Sequence, residues 1–111
     1  DEPINYEKAL DEFEDDKKFF IEVLNGFIQN VAKQVPIIKE AIKDKDFKTI
    51  KVEAHSIKGG SANLTAMALS SVAAALENAC TSKDINQSTL LLEDLERQFV
   101  RLKNAADHLK I

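Results

Sequence analysis

The chain has 111 residues, with 19 Asp and Glu against 15 Lys and Arg, a formal net charge of -4, 44% apolar residues and 31% charged ones. Residues 1–111 suit one domain with one core, which excludes a self-contained ATP-dependent kinase. The acidic balance, without an Arg-rich segment, argues against nucleic acid, where neutralised phosphates supply much of the affinity, and points to a protein partner.

Cys80 is the only cysteine, which rules out an intramolecular disulfide, fits a reducing cytosol and reads as a small buried apolar side chain. No apolar run approaches the roughly 20 residues needed to cross a bilayer. Asp1-Glu2-Pro3 offers neither a basic signal-peptide region nor an initiator Met. The expectation is a cytoplasmic, soluble module, free-standing or excised from a larger parent, with any membrane anchor of that parent outside this sequence.

Only three Gly and two Pro occur, too few for a hairpin-rich fold, while apolar residues recur three and four apart. Asn5 is placed to cap a short helix carrying Tyr6, Ala9, Leu10 and Phe13, and Asp15-Asp16 opens a second helix. The stripe of that helix is Phe19, Phe20, Val23, Leu24, Phe27, Ile28 and Val31. It resumes as Val35, Ile38, Ala41 and Ile42 beyond Pro36, whose ring and missing N–H predict a bend near Ala32 in one long helix. Asp44-Lys45-Asp46 interrupts the pattern. Asp46 then caps a third helix lined by Phe47, Ile50, Ala54, Ile57, Ser61 and Leu64. Thr65 is expected to cap a fourth helix that buries Leu69, Val72, Ala73, Leu76 and Cys80. After Thr81-Ser82-Lys83, Asp84 and Gln87 resemble a capping box opening a last helix lined by Leu91, Leu95, Phe99, Leu102 and Leu109. The fold class is all-α, an antiparallel four-helix bundle with a short additional N-terminal helix across one end.

The third helix breaks its own rules, because Gly59 and Gly60 sit inside it, each at a cost of about 1 kcal/mol relative to Ala. Close packing or a surface kept bare for an approaching partner would explain such a cost. At about 100° per residue, His55 points away from the core face, and Lys48, Lys51, Lys58 and Gly59 share its side of the helix. Positive neighbours bias His55 toward the neutral, nucleophilic imidazole. An ammonium at Lys58 matches a doubly charged group carried on that ring, and Gly59 leaves room for a partner. This combination suits phosphoryl transfer, which asks mainly for charge neutralisation and in-line access. His108, near the end of the last helix, has no such surroundings and receives no function.

The string from Ala54 to Leu64, AHSIKGGSANL, with its His-x-x-Lys-Gly pattern, resembles the signature of histidine-containing phosphotransfer (HPt) domains of two-component signalling. The resemblance extends from the Leu24/Phe27 stretch through Asp46-Phe47 and Leu76-Glu77 to the final helix. It implies that His55 accepts a phosphoryl group from a receiver-domain aspartyl phosphate and passes it to another receiver aspartate. Lys58 would steady that group, Gly59 would admit the receiver, and Glu77, where chemotaxis-kinase members carry Glu, would orient the imidazole through one ring nitrogen. Thr65 departs from the Gly that many members carry there.

The implied partners are response-regulator receiver domains, with a hybrid sensor histidine kinase as a further candidate, docking around His55 through Lys48, Lys51, Val52, Gly59 and Ala62. A phosphocarrier of this kind is not itself a kinase. It needs no intrinsic metal or cofactor, the Mg²⁺ being expected in the receiver, and monomer is the default state. A non-catalytic adaptor bundle, a metal site built on His55 and Glu77, and the substrate domain of a chemotaxis-type kinase are the competing readings.

Overall fold

The computed structural model describes residues 2–109, which form five helices: α1 (Tyr6–Glu12), α2 (Lys17–Lys43), α3 (Phe47–Asn63), α4 (Met67–Thr81) and α5 (Ile85–Asp107). At about 1.5 Å per residue, the 27 residues of α2 account for the 42 Å long axis of the molecule. α2 passes through Pro36 without a break, and Val35 and Ile38 on either side of it are buried.

Side-chain pairs show that α2, α3 and α4 alternate in direction. Phe27 of α2 lies against Gly60 of α3, whereas Gln34 meets Ser56 and Glu53, so numbers rise along one helix as they fall along the other. Ser70 of α4 reaches the Lys58 carbonyl, and Glu77, two turns on, reaches back to His55. Lys39 of α2 pairs with Glu96 of α5, which closes the bundle. Phe20, Leu24, Val31, Ile38, Ile50, Ile57, Leu69, Leu76, Leu95 and Leu102 fill the space between the helices. Two inward assignments shift. Phe19 is 52% exposed, resting on the Phe13 ring at the corner with α1, because α1 is too short to cover it. Leu92 is buried while Leu91 is only half-buried.

Four helices begin at the expected caps. The side chains of Asn5, Asp16, Asp46 and Asp84 accept from the backbone N–H three residues on. The reciprocal arm of a capping box at Asp84 is not made, since the Asp84 N–H bonds to the Ala79 carbonyl. Thr65 does not cap α4, whose N-cap is Ala66 without a side-chain bond. Thr65 instead sits in the left-handed region at φ 57°, its hydroxyl donating to the Asn5 carbonyl at 2.8 Å and its carbonyl and hydroxyl oxygens facing the Asn5 N–H. It ties the start of α1 to the α3–α4 turn, and so places α1 at that end of the bundle.

The turns share one design. Glu14, Lys45, Thr65 and Lys83 each adopt positive φ just past a helix end. The next residue's N–H then reaches back to a carbonyl of the last turn: Asp15 to Leu10, Asp46 to Ala41, Ala66 to Ser61, Asp84 to Ala79. This is the Schellman arrangement, usually built on glycine. None of the three glycines here has positive φ.

Candidate functional site

Helix α3 carries the site on its outward face. Its opposite face buries Ile50, Ala54, Ile57 and Ser61, so the 3.6-residue repeat turns His55 into solvent, where its side chain is 67% exposed. Lys48, Lys51, Val52, Gly59 and Ala62 are all exposed on the same side.

Glu77 of α4 joins the site from across the helix pair. Its Oε2 lies 2.9 Å from His55 Nδ1 and its Oε1 2.8 Å from Lys58 Nζ, so one carboxylate bridges both side chains. Its side chain is only 17% exposed. The bonded Lys58 ammonium holds Glu77 below the ordinary carboxylate range, against the upward push of burial and with further help from His55. An ionised carboxylate only accepts hydrogen bonds, so Nδ1 carries the proton in this contact. In the neutral ring Nε2 then holds the lone pair, and no hydrogen bond engages it among the described residues.

The charged group touching the imidazole is a carboxylate, not a lysine, and Lys58 is engaged by that same carboxylate. With Glu77 ionised, the contact keeps the proton on Nδ1 and leaves the lone pair on Nε2, as expected of a carboxylate bonded to one ring nitrogen.

The two glycines divide the explanations between them. A Cβ on Gly59 would meet nothing within 4 Å, so that position is bare surface beside His55. A Cβ on Gly60 would lie 2.6 Å from Phe27 Cε1, so its glycine admits the aromatic ring of α2. Sequence reading missed two further groups. The hydroxyl of Ser70 donates to the Lys58 carbonyl, pinning α4 to α3 beside the site, and the Ser61 hydroxyl donates to the Ile57 and Lys58 carbonyls within α3. Gln34 donates to Glu53 and Ser56, holding α2 to α3 on the other flank. A Ser four residues after an apolar helix position is a weak cue, and the Gln34 contact has no local signature.

Among the described residues, no group of three or more His, Cys, Asp or Glu is arranged to hold a metal, and His55 and Glu77 gain no third ligand. Cys80 is buried, and burial pushes its thiol up from its ordinary value. Among the described residues, no helix is long and apolar enough to cross a membrane.

Residues 22–110 match the sequence model of the Hpt domain. The chain belongs to the Hpt family. This Hpt domain is similar to the phosphorelay intermediate protein rdeA of Dictyostelium discoideum, with 25% identity over 89 residues that make up 80% of this chain and 35% of that protein. It thus spans about a third of the length of that curated relative. Its fold is similar to the crystal structure of histidine-containing phosphotransfer protein B from Pseudomonas aeruginosa, with TM-score 0.88 and 21% identity over 96% of this chain and 92% of that one. A candidate histidine-containing phosphotransfer protein from rice gives TM-score 0.85 at 18% identity, covering 96% of this chain and 79% of that one. These likenesses agree with the four-helix bundle and its added N-terminal helix.

Proposed function

We propose that this Hpt domain is a phosphocarrier: His55 accepts a phosphoryl group from a receiver aspartyl phosphate and delivers it to the aspartate of another receiver. The observation that carries the reading is the imidazole exposed to solvent at 67%, with Nδ1 bonded to the Glu77 carboxylate. Nε2 is then the free nucleophile. Its lone pair attacks phosphorus, the P–O bond to the receiver carboxylate breaks, and that carboxylate leaves with the bonding pair. The ring keeps its Nδ1 proton and gains positive charge facing Glu77, so the same carboxylate that fixes the tautomer stabilises the phosphorylated ring. Lys58, on the other oxygen of Glu77, brings an ammonium to the edge of the site to steady the phosphoryl oxygens. Gly59 leaves the approach open, and Lys48, Lys51, Val52 and Ala62 flank it.

In this reading the chain is no kinase. The ATP chemistry belongs to a sensor kinase, and the Mg²⁺-bound acidic pocket to the receiver, whose negative charge the lysine stripe steers during encounter. The module acts in the cytosol as a monomer, alone or as part of a larger kinase. Incubation with a phosphorylated receiver tests the assignment. An acid-labile, base-stable phosphate should appear on the chain, and His55→Gln should abolish it while helicity stays intact. Equal labelling of the Gln variant would overturn the reading.

A further inference from the structure

Resting on the phosphorelay reading, we infer that Ser70 is a positioning residue for the transfer: its hydroxyl, bonded to the Lys58 carbonyl, sets the register of α4 against α3 at which the Glu77 carboxylate reaches His55 and Lys58 together. Ser70 is buried on α4, and its Oγ lies 3.0 Å from the Lys58 carbonyl oxygen. Seven residues on, Glu77 projects from the same side of the helix, about 20° around it and about 10 Å along it at 1.5 Å per residue. Its Oε1 takes the Lys58 ammonium at 2.8 Å. One face of α4 therefore grips Lys58 at both ends, by its carbonyl and by its side chain.

The Ser70 hydroxyl departs from the usual local pattern. A Ser or Thr inside a helix commonly donates to the carbonyl four residues back, and Ser61, Ser88 and Thr89 do so, to Ile57, Asp84 and Ile85. Ser70 donates across to α3 instead. The Lys58 carbonyl already receives the Ser61 hydroxyl from within α3, so the Ser70 bond is not needed to satisfy a buried acceptor. What it adds is a link between two helices.

Features on both helices give that link its weight. α4 opens on Ala66 with no side-chain cap, so no side chain anchors its first turn from within. On α3, Gly59 and Gly60 follow Lys58 directly, and without side chains they make this the most easily bent part of the helix. A bond from outside to the carbonyl just before the pair stiffens the backbone there. Glu77 meets His55 Nδ1 at 2.9 Å and Lys58 Nζ at 2.8 Å, within a hydrogen-bond range of about 2.7–3.2 Å. Its two partners stand about one turn apart on α3, so a slide of α4 that favours one contact lengthens the other. A slide of about 1 Å, less than the rise of one residue, takes the longer contact out of range. Misplacement on that scale costs up to about 100-fold in rate.

The test uses the whole chain, a purified receiver domain and phosphoramidate as a small donor that needs no docking. Ser70→Ala should slow phosphoramidate labelling of His55 about fivefold, and slow single-turnover transfer at saturating receiver by a similar factor. The receiver concentration that gives half the maximal rate should stay unchanged, and nitrogen NMR of the imidazole should show a smaller Nδ1–H population. Ser70→Thr, which keeps the hydroxyl, should restore both rates and the tautomer. Ser88→Ala removes a buried hydroxyl bonded to a carbonyl within α5, and should shift the urea midpoint comparably while leaving rates and tautomer at wild-type values. If Ser70→Ala labels at the wild-type rate with an unchanged tautomer, or if Ser70→Ala and Ser88→Ala slow labelling equally, the inference is overturned and the relay reading stands. Wild-type chain that is labelled on His55 but passes phosphate to no receiver would instead remove the relay reading, while labelling and tautomer would still decide the role of Ser70.

Discussion

Replacing Gly59 and Gly60 singly by Ala should give opposite results from adjacent positions in one helix. At Gly59 the new methyl meets nothing within 4 Å, so only the backbone term acts. Ala is favoured over Gly by about 1 kcal/mol inside a helix, which in a domain of this size raises the melting temperature by about 4 °C. At Gly60 the same gain is set against a methyl 2.6 Å from Phe27 Cε1 and 2.9 Å from Cδ1. Carbon atoms settle at about 3.5–4.0 Å, so the ring must move by about 1 Å. Such overpacking costs about 1–3 kcal/mol, and the net change is a loss between zero and about 2 kcal/mol after the helix term is subtracted. Urea unfolding followed by circular dichroism reads both values. A Phe27→Leu background should shrink the Gly60→Ala loss, as a double-mutant cycle would register. Gly59→Ala should also slow transfer to a receiver, because its methyl stands on the approach to His55. Gly60→Ala stabilising the chain as much as Gly59→Ala would refute the packing explanation.

Other changes have equally definite outcomes. Lys58→Ala should slow transfer without loss of helicity, read by single-turnover labelling and circular dichroism. Glu77→Gln should reduce the population of the Nδ1–H tautomer of His55, measured by nitrogen NMR of the imidazole. Because the folded state holds Glu77 below its ordinary value, its stabilising contribution is complete above the unfolded pKa of about 4.3 and lost as pH falls through the folded one. The stability gap between wild type and Glu77→Gln should therefore stay constant from neutral pH down to about pH 5 and close below about pH 4. Thr65→Gly should relieve about 1 kcal/mol of left-handed strain and lose a hydroxyl bond of similar worth. Global stability should hardly change, while the Asn5 amide exchanges faster in hydrogen-exchange NMR.

The helices were legible because their signals are local. Asn5, Asp16, Asp46 and Asp84 cap through bonds to residues three positions on, and the apolar repeat of α3 turns His55 outward within one helix. The turns hid their geometry, since the left-handed positions fall on Glu14, Asp15, Lys45, Thr65 and Lys83 while all the glycines lie in helices. Thr65 looked like a cap because cap and left-handed positions are one residue apart, and only the tertiary link to Asn5 reveals its place. Family resemblance suggested Glu77 as a partner of the imidazole. Its second oxygen on Lys58 depends on the α3–α4 register, fixed by Ser70 and the buried faces, which periodicity within one helix does not contain. Gly60 likewise needed Phe27 from another helix to explain it.

The nitrogen that carries phosphorus tests the account most directly. After phosphorylation of the ¹⁵N-labelled chain by phosphoramidate or a phosphorylated receiver, phosphorus–nitrogen NMR should show a single adduct at Nε2 of His55, with Nδ1 still protonated and His108 unmodified. Phosphorus on Nδ1 of His55, or on His108, would contradict it.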